Sequence, residues 1–476
     1  MSRKKITRQI LERVLVEDYA AEGKSLSRID GKVVFIEGAV PGDIVDVLLS
    51  KNKKDWAEGK AVYMHTPSKN RTEPFCSHFG VCGGCKWQML PYEKQLEYKQ
   101  NEVEQNLRRL GNIELPPVMP ILGCDKTVRY RNKLEFTFSN FRYKTKEEMQ
   151  NEILPQQTTG ERPPDPALGF HVPRLFDKVI DINTCHLMEE PVNLIKNTLR
   201  EFALQQGYPF YDIRRHTGWL RNLIIRLSTT GEVMVNICLA YEEVPEREKL
   251  LTHLLNSVPS VTSLFFTINS KKNDSIHDLE PQLYYGKGYI TERLEDFQFK
   301  ISPKSFFQTN TQQSEKLYQV TRDFAELTGC ETVYDLYCGT GSIGIFVSRL
   351  AKSVVGVELI PEAIADAKEN AQLNKIEHAH FFAGDVIQIC DDIFFEQHGR
   401  PDVIITDPPR AGMHEKLVRK ILEIEARKLV YVSCNSATQA RDLRLLSEKY
   451  AVTRVQPVDM FPHTHHIENV VQLKLK

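Results

Sequence analysis

A thiol and a carboxylate near the carboxyl terminus carry the most telling chemistry in this sequence. The thiol, Cys434, stands in Tyr431-Val-Ser-Cys434-Asn435, and the carboxylate, Glu468, closes the run His463-Thr-His-His-Ile-Glu468. A glycine-rich loop (Val333 to Gly344) and the tetrad Asp407-Pro-Pro-Arg410 precede them. Uracil C5 is a poor nucleophile, but a thiolate adding at C6 turns C5 into an enolate-like carbon that can take a methyl group. A base must then remove the C5 proton so that the thiol can leave. One cysteine, one base and an adenosyl methyl donor together read as methylation at a pyrimidine carbon.

Cys434 ends the fifth of five strand-like runs, at the edge where open α/β sheets bind ligands. The competing reading is a buried structural cysteine. The helix-starting pair Asn435-Ser436 places the thiol at a helix N-terminus, which is expected to lower its pKa. Cys338 competes as nucleophile but lies inside the cofactor loop, facing the nucleoside. For the base, Glu468 is preferred to the neighbouring histidines. Those could bind metal only with a second group of ligands, which the sequence does not offer.

Gly339-Thr-Gly-Ser-Ile-Gly344 follows a strand and opens a helix, the setting in which glycines let a backbone approach a nucleotide closely. Glu358 ends the next strand, 19 residues after Gly339, where a carboxylate can accept both ribose hydroxyls. An NAD enzyme shares these features. Three others favour S-adenosylmethionine: Asp335 ahead of the glycines, Asp385 after the third strand for an adenine, and Asp407 after the fourth, over a transferable methyl.

Cys76, Cys82 and Cys85 form a compact group that needs a fourth ligand, with Cys124 and Cys185 the nearest candidates. Thiolates suit zinc or iron–sulfur. The two spaced pairs of a zinc ribbon are missing, which favours [4Fe–4S].

The elements that must position these groups divide the chain in three. Residues 1–67 read as a small five-stranded β-barrel, with runs such as Lys32–Ile36 and Ile44–Leu49 punctuated by Gly38 and Pro41-Gly42. Barrels of that type often hold oligonucleotides. Residues 68–298 read as α+β, with a helix over Tyr92–Leu110 and strands at Leu223–Arg226 and Val233–Cys238. Glu147–Pro166 reads as a polar surface insertion. From residue 299 to 476 strands (332–337, 353–358, 378–383, 403–406, 428–433) alternate with helices, predicting a doubly wound, Rossmann-like α/β domain with a parallel sheet.

The 476 residues carry a net charge of −1, so no global charge advertises nucleic acid. Two local strips do: Cys124–Lys146 carries a balance of +5 and Tyr211–Arg226 one of +3, both with interleaved aromatics. The alternative is a solvated charged face. Apolar runs are too short to span a bilayer, the start lacks a signal-peptide segment, and ten cysteines fit a reducing compartment. A cytoplasmic location without membrane association is the expectation.

The chain resembles the RNA uracil-C5 methyltransferases, which make 5-methyluridine in ribosomal and transfer RNA. The likeness runs from a TRAM-like barrel with Pro41-Gly42-Asp43, through Cys82-Gly-Gly-Cys85 and Phe307-Gln308-Thr-Asn310, to Asp335–Gly341, Asp407–Arg410, Ser433–Asn435 and His466–Val470. It implies a class I methyltransferase domain and a [4Fe–4S] cluster on Cys76, Cys82, Cys85 and Cys185. It also implies an S-adenosylmethionine site at Gln308, Tyr337, Ser342, Glu358, Asp385 and Asp407, with Cys434 as nucleophile and Glu468 as base. Members with four such cysteines mostly modify 23S rRNA, which makes that RNA the expected partner; no obligate protein partner is implied. Two departures stand out: Gln88-Met89-Leu90 where the family often has Gln-His-Leu, and the 147–166 insertion. Two other readings compete: exocyclic-amine methylation, which needs no nucleophilic cysteine, and a non-catalytic RNA-binding protein.

Overall fold

The computed structural model describes residues 9–151 and 164–476; most of the expected 147–166 insertion thus lies outside the described residues. The first unit is a sheet of six strands, not five: Ile10–Leu15, Asp18–Tyr19, Ser25–Ile29, Lys32–Glu37, Ile44–Asn52 and Trp56–Thr66. The extra strand is a two-residue edge piece, too short to leave a periodic signal. Alternation turns Val34, Ile36, Val45 and Val47 inward to a core shared with Val14 and Ala57. Gly59 permits that closure, because a Cβ there would meet Val47 Cγ1 at 2.5 Å. Buried Asp43 then pins the unit to the following segment, accepting from Ser68 N (2.8 Å) and from Arg71 Nε (2.8 Å) and Nη2 (2.7 Å).

The central sheet has seven strands, running in space from Gln282–Gly286 through Ser263–Ile268, Val233–Leu239, Leu220–Leu227, Lys133–Ser139 and Ala167–Val172 to Leu175–Asp181. Helices Val192–Gln205 and Val244–Ser257 pack on it through Ile195, Leu199, Leu251 and Leu254.

The C-terminal sheet also has seven strands: Ala379–Ala383, Ser353–Glu358, Thr332–Leu336, Val403–Thr406, Lys428–Ser433, Glu468–Leu475 and Tyr450–Val458. The first five are parallel, as expected for a doubly wound fold, but the last two run antiparallel. The expectation of a purely parallel sheet is corrected in that respect. The final strand folds back between Lys428–Ser433 and Tyr450–Val458, and this puts Glu468 beside the end of the Cys434 strand.

The helix Tyr92–Arg109 buries one stripe, Gln95, Lys99, Val103 and Leu107, spaced four residues apart. Val103 and Leu107 join the C-terminal core, and Asn106 Nδ2 donates to Ser436 Oγ at 2.9 Å. Lys99, fully buried, pairs with fully buried Asp459 at 2.6 Å. One chain junction draws all three units together. The His463 carbonyl accepts from Lys86 N (2.8 Å) and Trp87 N (3.1 Å), Trp87 Nε1 donates to Gly23 O (3.3 Å), and a Cβ on Gly23 would meet His465 Cβ at 3.0 Å. Among the described residues, no helix is long and apolar enough to cross a membrane.

The basic strip at Tyr211–Arg226 divides in two: Arg214 and Arg215 stay exposed, beside Asp177 and Asp212, whereas Arg221 and Arg226 are buried. Strand Leu220–Leu227 lies inside the sheet and is covered on both faces, so its arginines turn inward. Arg221 donates to Asn269 O (2.7 Å) and Asp274 Oδ1 (2.8 Å) with its guanidinium 4.1 Å from the Tyr211 ring, and Arg226 donates to Ser305 O (2.6 Å). Trp219 is buried too. In the first strip Arg142 and Lys144 pair with Asp165, whereas Lys126 and Arg129 remain largely exposed.

Candidate active site and cysteine cavity

The crevice opens at the carboxyl ends of the parallel strands. After Leu336 the backbone turns through Tyr337 (φ 63°), Gly339 (54°) and Gly341 (77°) into the helix Ser342–Val347. Gly341 must be glycine, because beyond its φ a Cβ would sit 3.0 Å from both Ala367 and Phe381. Asp335 closes the turn by accepting from Gly344 N at 2.8 Å through Oδ2. Its Oδ1 is buried without a partner. Burial, then the nearby Asp407 and Glu358, push this carboxyl up to about 7. A buried, unsatisfied acceptor here suits a cationic ligand.

Glu358 ends its strand with Oε2 accepting from Gly339 N (3.3 Å) and Oε1 from Ile360 N (3.1 Å). Leu359 and Ile360 behind it are 66% and 54% exposed, an apolar wall beside the loop of the kind a flat ring covers. Sequence reading missed that wall, although two apolar residues directly after a strand-end acid were a signal for it. Asp385 caps the helix Val386–Ile389 through Ile387 N (2.9 Å). The Tyr337 hydroxyl is raised by burial and by Asp385, Asp442 and Glu358, so these groups share one neighbourhood. Tyr318 Oη, also absent from the sequence reading, lies 3.0 Å from Ser342 Oγ and feels Asp407, Asp335 and Glu468. The segment carrying Gln308 is clamped by Asn132, whose Nδ2 donates to Gln308 O (2.9 Å) and Thr311 Oγ1 (2.8 Å). Thr340 Oγ1 reaches Phe306 O at 3.5 Å, joining that segment to the glycine loop.

Cys434 directly precedes the helix Ser436–Leu446, whose N-cap Asn435 accepts from Ala437 N (3.1 Å) and Thr438 N (3.4 Å). The expected lowering of the thiol pKa is overturned. Burial, then the Glu468 and Asp407 carboxylates, push it up to about 11, and only Arg410 and a backbone N–H pull it down. The helix end is outweighed first by burial of the thiol and then by the two neighbouring acids. Glu468 is raised well above the carboxylate range by burial and by Asp407, while Arg410 opposes. Asp407 itself is raised to about 7 by burial. Thus Cys434, Glu468, Asp407 and Arg410 share one neighbourhood, the Ser433–Asn469 pairing and the Asn435–Arg410 hydrogen bond bringing their segments together, although 60 residues separate the first and last positions of the set. Cys338, by contrast, is buried under the glycine loop and its thiol is raised by burial, Asp335 and Glu358.

A second cavity, of about 260 Å³, is lined by Cys76, Cys82, Cys85 and Cys185, together with Gln88, Arg131, His186, Thr464 and His466. Cys124 lies elsewhere, its thiol 3.0 Å from Asp459 O. Burial and then the neighbouring thiols push Cys82 to about 12 and Cys85 to about 11, and burial raises Cys185. Gln88, retained beside the departure at Met89, accepts from Cys76 N at 3.1 Å. Gly84 N donates to Cys82 Sγ at 3.4 Å. Among the described residues no three His, Cys, Asp or Glu side chains are grouped so as to hold a metal ion. The histidines of the tail are kept neutral, His463 and His466 lowered to about 4 and His465 to about 3, in each case chiefly by burial.

Residues 277–476 match the tRNA (Uracil-5-)-methyltransferase family and residues 10–62 the TRAM domain. The chain is 52% identical over 460 residues to an uncharacterized RNA methyltransferase of Bacteroides thetaiotaomicron, covering 96% of this chain and 100% of that protein. With one from Chlorobaculum tepidum it shares 39% over 461 residues, covering 96% and 94%. Among solved structures it is similar to the Pyrococcus abyssi tRNA (uracil-54, C5)-methyltransferase in complex with S-adenosyl-L-homocysteine. That match has a TM-score of 0.73 at 25% identity and covers 97% of this chain and 100% of that one.

Proposed function

Because the chain belongs to the TRAM-containing RNA uracil-C5 methyltransferase family, an S-adenosylmethionine-dependent group, we propose that it methylates C5 of a uridine in 23S rRNA through a covalent Cys434–C6 adduct. The observation that carries this reading is the meeting of Cys434, Glu468, Asp407 and Arg410 at the mouth of the nucleotide crevice. The target base leaves its stack to reach them. The Cys434 thiolate, its proton lost to solvent, adds to C6, and the ring electrons shift toward O4. When bound, S-adenosylmethionine supplies an electrophilic methyl on its sulfonium, which C5 takes. Glu468 then removes the C5 proton, the C5–C6 double bond re-forms, and Cys434 is expelled as thiolate. Burial beside Asp407 makes Glu468 a strong base once ionised.

The cofactor would be held by Gln308, Tyr337, Ser342, Glu358, Asp385 and Asp407. The orphaned Asp335 Oδ1 and the exposed Leu359 and Ile360 support this, offering an acceptor for an ammonium and a wall for an adenine. Cys76, Cys82, Cys85 and Cys185 would hold a [4Fe–4S] cluster that braces the junction of the three units. What supports this is that the four thiols line one cavity of about 260 Å³, and that soft thiolate donors suit iron–sulfur groups. The barrel and the exposed Lys126 and Arg129 would contact the RNA.

The test is tritium release from [5-³H]uridine-labelled 23S rRNA and tRNA with S-adenosylmethionine, wild type against Cys434→Ala. Release from 23S rRNA by wild type alone is expected. Release from tRNA alone would move the target to tRNA, a second reading favoured by the full-length likeness to the Pyrococcus abyssi enzyme. Methyl incorporation without release would replace C5 chemistry with exocyclic-amine methylation, and no reaction on any RNA would favour a binding protein.

A further inference from the structure

Arg410 is the cation that lowers both the Cys434 thiol and the Glu468 carboxyl. Its backbone is anchored, since its carbonyl accepts from Asn435 Nδ2 and Thr438 Oγ1, each at 3.1 Å. Its side chain is exposed, and a long guanidinium stem keeps its position only if something holds the end. Here the end is held by His466: Arg410 Nη2 donates to His466 Nδ1 at 3.1 Å. That geometry requires neutral imidazole with its proton on Nε2. Burial, then Arg410 itself, keeps His466 neutral.

The ring is in turn fixed from behind. It lies 4.2 Å from the His465 ring centroid and edge-on to Phe461 at 6.4 Å, and its backbone N–H donates to Thr464 Oγ1 at 3.2 Å. His466 and Thr464 also line the cysteine cavity. The imidazole therefore stands between the two sites, touching the guanidinium of one and the wall of the other.

We propose that His466 is a positioning residue for the methyl transfer: its Nδ1 holds the Arg410 guanidinium beside Cys434 and Glu468, so that the packing around the cysteine cavity decides where that charge sits. The proposal rests on the reading of Cys434 and Glu468 as nucleophile and base. A guanidinium within about 4–6 Å of a titrating group shifts it by about 1–3 pH units. Released into solvent, it would leave the thiol facing Glu468 and Asp407 alone.

The test is the rate of iodoacetamide alkylation of Cys434, read on its own peptide by mass spectrometry at pH 9. It requires neither RNA nor methyl donor. Below the thiol's pKa the rate follows the thiolate fraction, so a one-unit rise appears as a roughly tenfold fall. His466→Leu is expected to slow alkylation about tenfold and to lower kcat similarly, with KM for RNA within about twofold. His466→Asn, whose amide oxygen can stand where Nδ1 does, should restore both; His466→Gln, whose acceptor stands at the Nε2 position, should not. Arg410→Gln should match His466→Leu, and the double variant should be no slower than Arg410→Gln alone. Unchanged alkylation in His466→Leu, or additive losses in the double variant, would overturn the proposal. Should His466→Leu misfold, equal rates for the Asn and Gln variants would overturn it instead. Alkylation that shifts as expected in a protein that methylates no uridine would uphold the placement of Arg410 and sink the functional reading.

Discussion

In the crevice, the Cys434 thiol and Glu468 face Asp407 and one guanidinium, Arg410, with Asp335 on the other side of Asp407. In the cysteine cavity, four thiols share the lining with one guanidinium, Arg131. Burial drives the protonation of both sets in the same direction, since each would be anionic if ionised and neither is solvated enough to ionise freely. The two differ in how they are built. The crevice draws on the strand ends of one sheet and, on the proposed reading, must admit and release a cationic ligand. The cavity is assembled from distant segments, at 76–88, 131–134, 170, 182–187 and 464–466, so whatever fills it also holds those segments together. If the proposed roles hold, an acid cluster that exchanges its ligand and a thiol cluster that retains one share the same electrostatic problem.

The strongest way to break this contrast is chemical. Cys434→Ala should reduce tritium release by about 10⁴-fold or more, in the range seen when a nucleophile is removed. Glu468→Gln should reduce turnover by about 10²–10⁴-fold while a covalent RNA–protein complex accumulates on a denaturing gel. Loss of turnover without that complex would remove Glu468 from the base's role.

Next in size is retention. Cys185→Ser should lower iron and sulfide content after anaerobic purification and lower the melting temperature, because metal binding that only the folded state makes adds to stability. At about 2 kcal/mol the shift would be about 4–8 °C. Cys124→Ser, outside the cavity, should leave iron content unchanged; equal losses would erase the distinction between them.

Exchange is tested through pH. Asp335 is raised from an ordinary value of 3.8 to about 7, so the folded, ligand-free protein binds more protons than the unfolded chain between those values. Stability of the ligand-free protein should therefore fall as pH rises from about 4 to 7 and level off above. A cationic ligand favours the ionised acid, so S-adenosylmethionine should bind more tightly as pH rises through about 7, by up to about tenfold per unit. Calorimetry on wild type and Asp335→Asn would check this, with the slope shallower in the variant. The smallest effect concerns RNA: Lys126→Ala should weaken binding roughly uniformly and reduce the salt slope by about 1. Arg221→Gln should instead destabilise the central sheet and leave that slope alone.

Much of the crevice was legible because its residues sit at fixed offsets from strand ends. Gly339, Glu358, Asp385, Asp407 and Cys434 each follow a β-run that shows in the sequence, and all of these runs form parallel strands. The antiparallel return of Glu468–Leu475 was not legible, since period-2 alternation marks a strand without giving its neighbour. Nor was the fate of Arg221 and Arg226. Counting charges along a segment cannot tell a solvent-facing strand from one covered on both faces, and here the sheet's interior claimed both arginines. The thiol pKa was misread for a related reason: the helix N-terminus is local and visible, whereas the burial that outweighs it, and after it the acids Glu468 and Asp407, come from other parts of the fold.

By itself, then, the sequence determined the alternation of strands and helices, the glycine turn and the residue types able to do pyrimidine chemistry, because these depend on offsets of a few residues. The family resemblance had already pointed to Cys185 over Cys124, which residue spacing left open, and the tertiary structure puts Cys185 in the thiol cavity. Only that structure decided that Glu468 meets Asp407 across the strand between them. It also decided that His466 stands between the cavity and Arg410. Those are contacts between segments tens to hundreds of residues apart, and long-range packing sets them where local propensity carries no information.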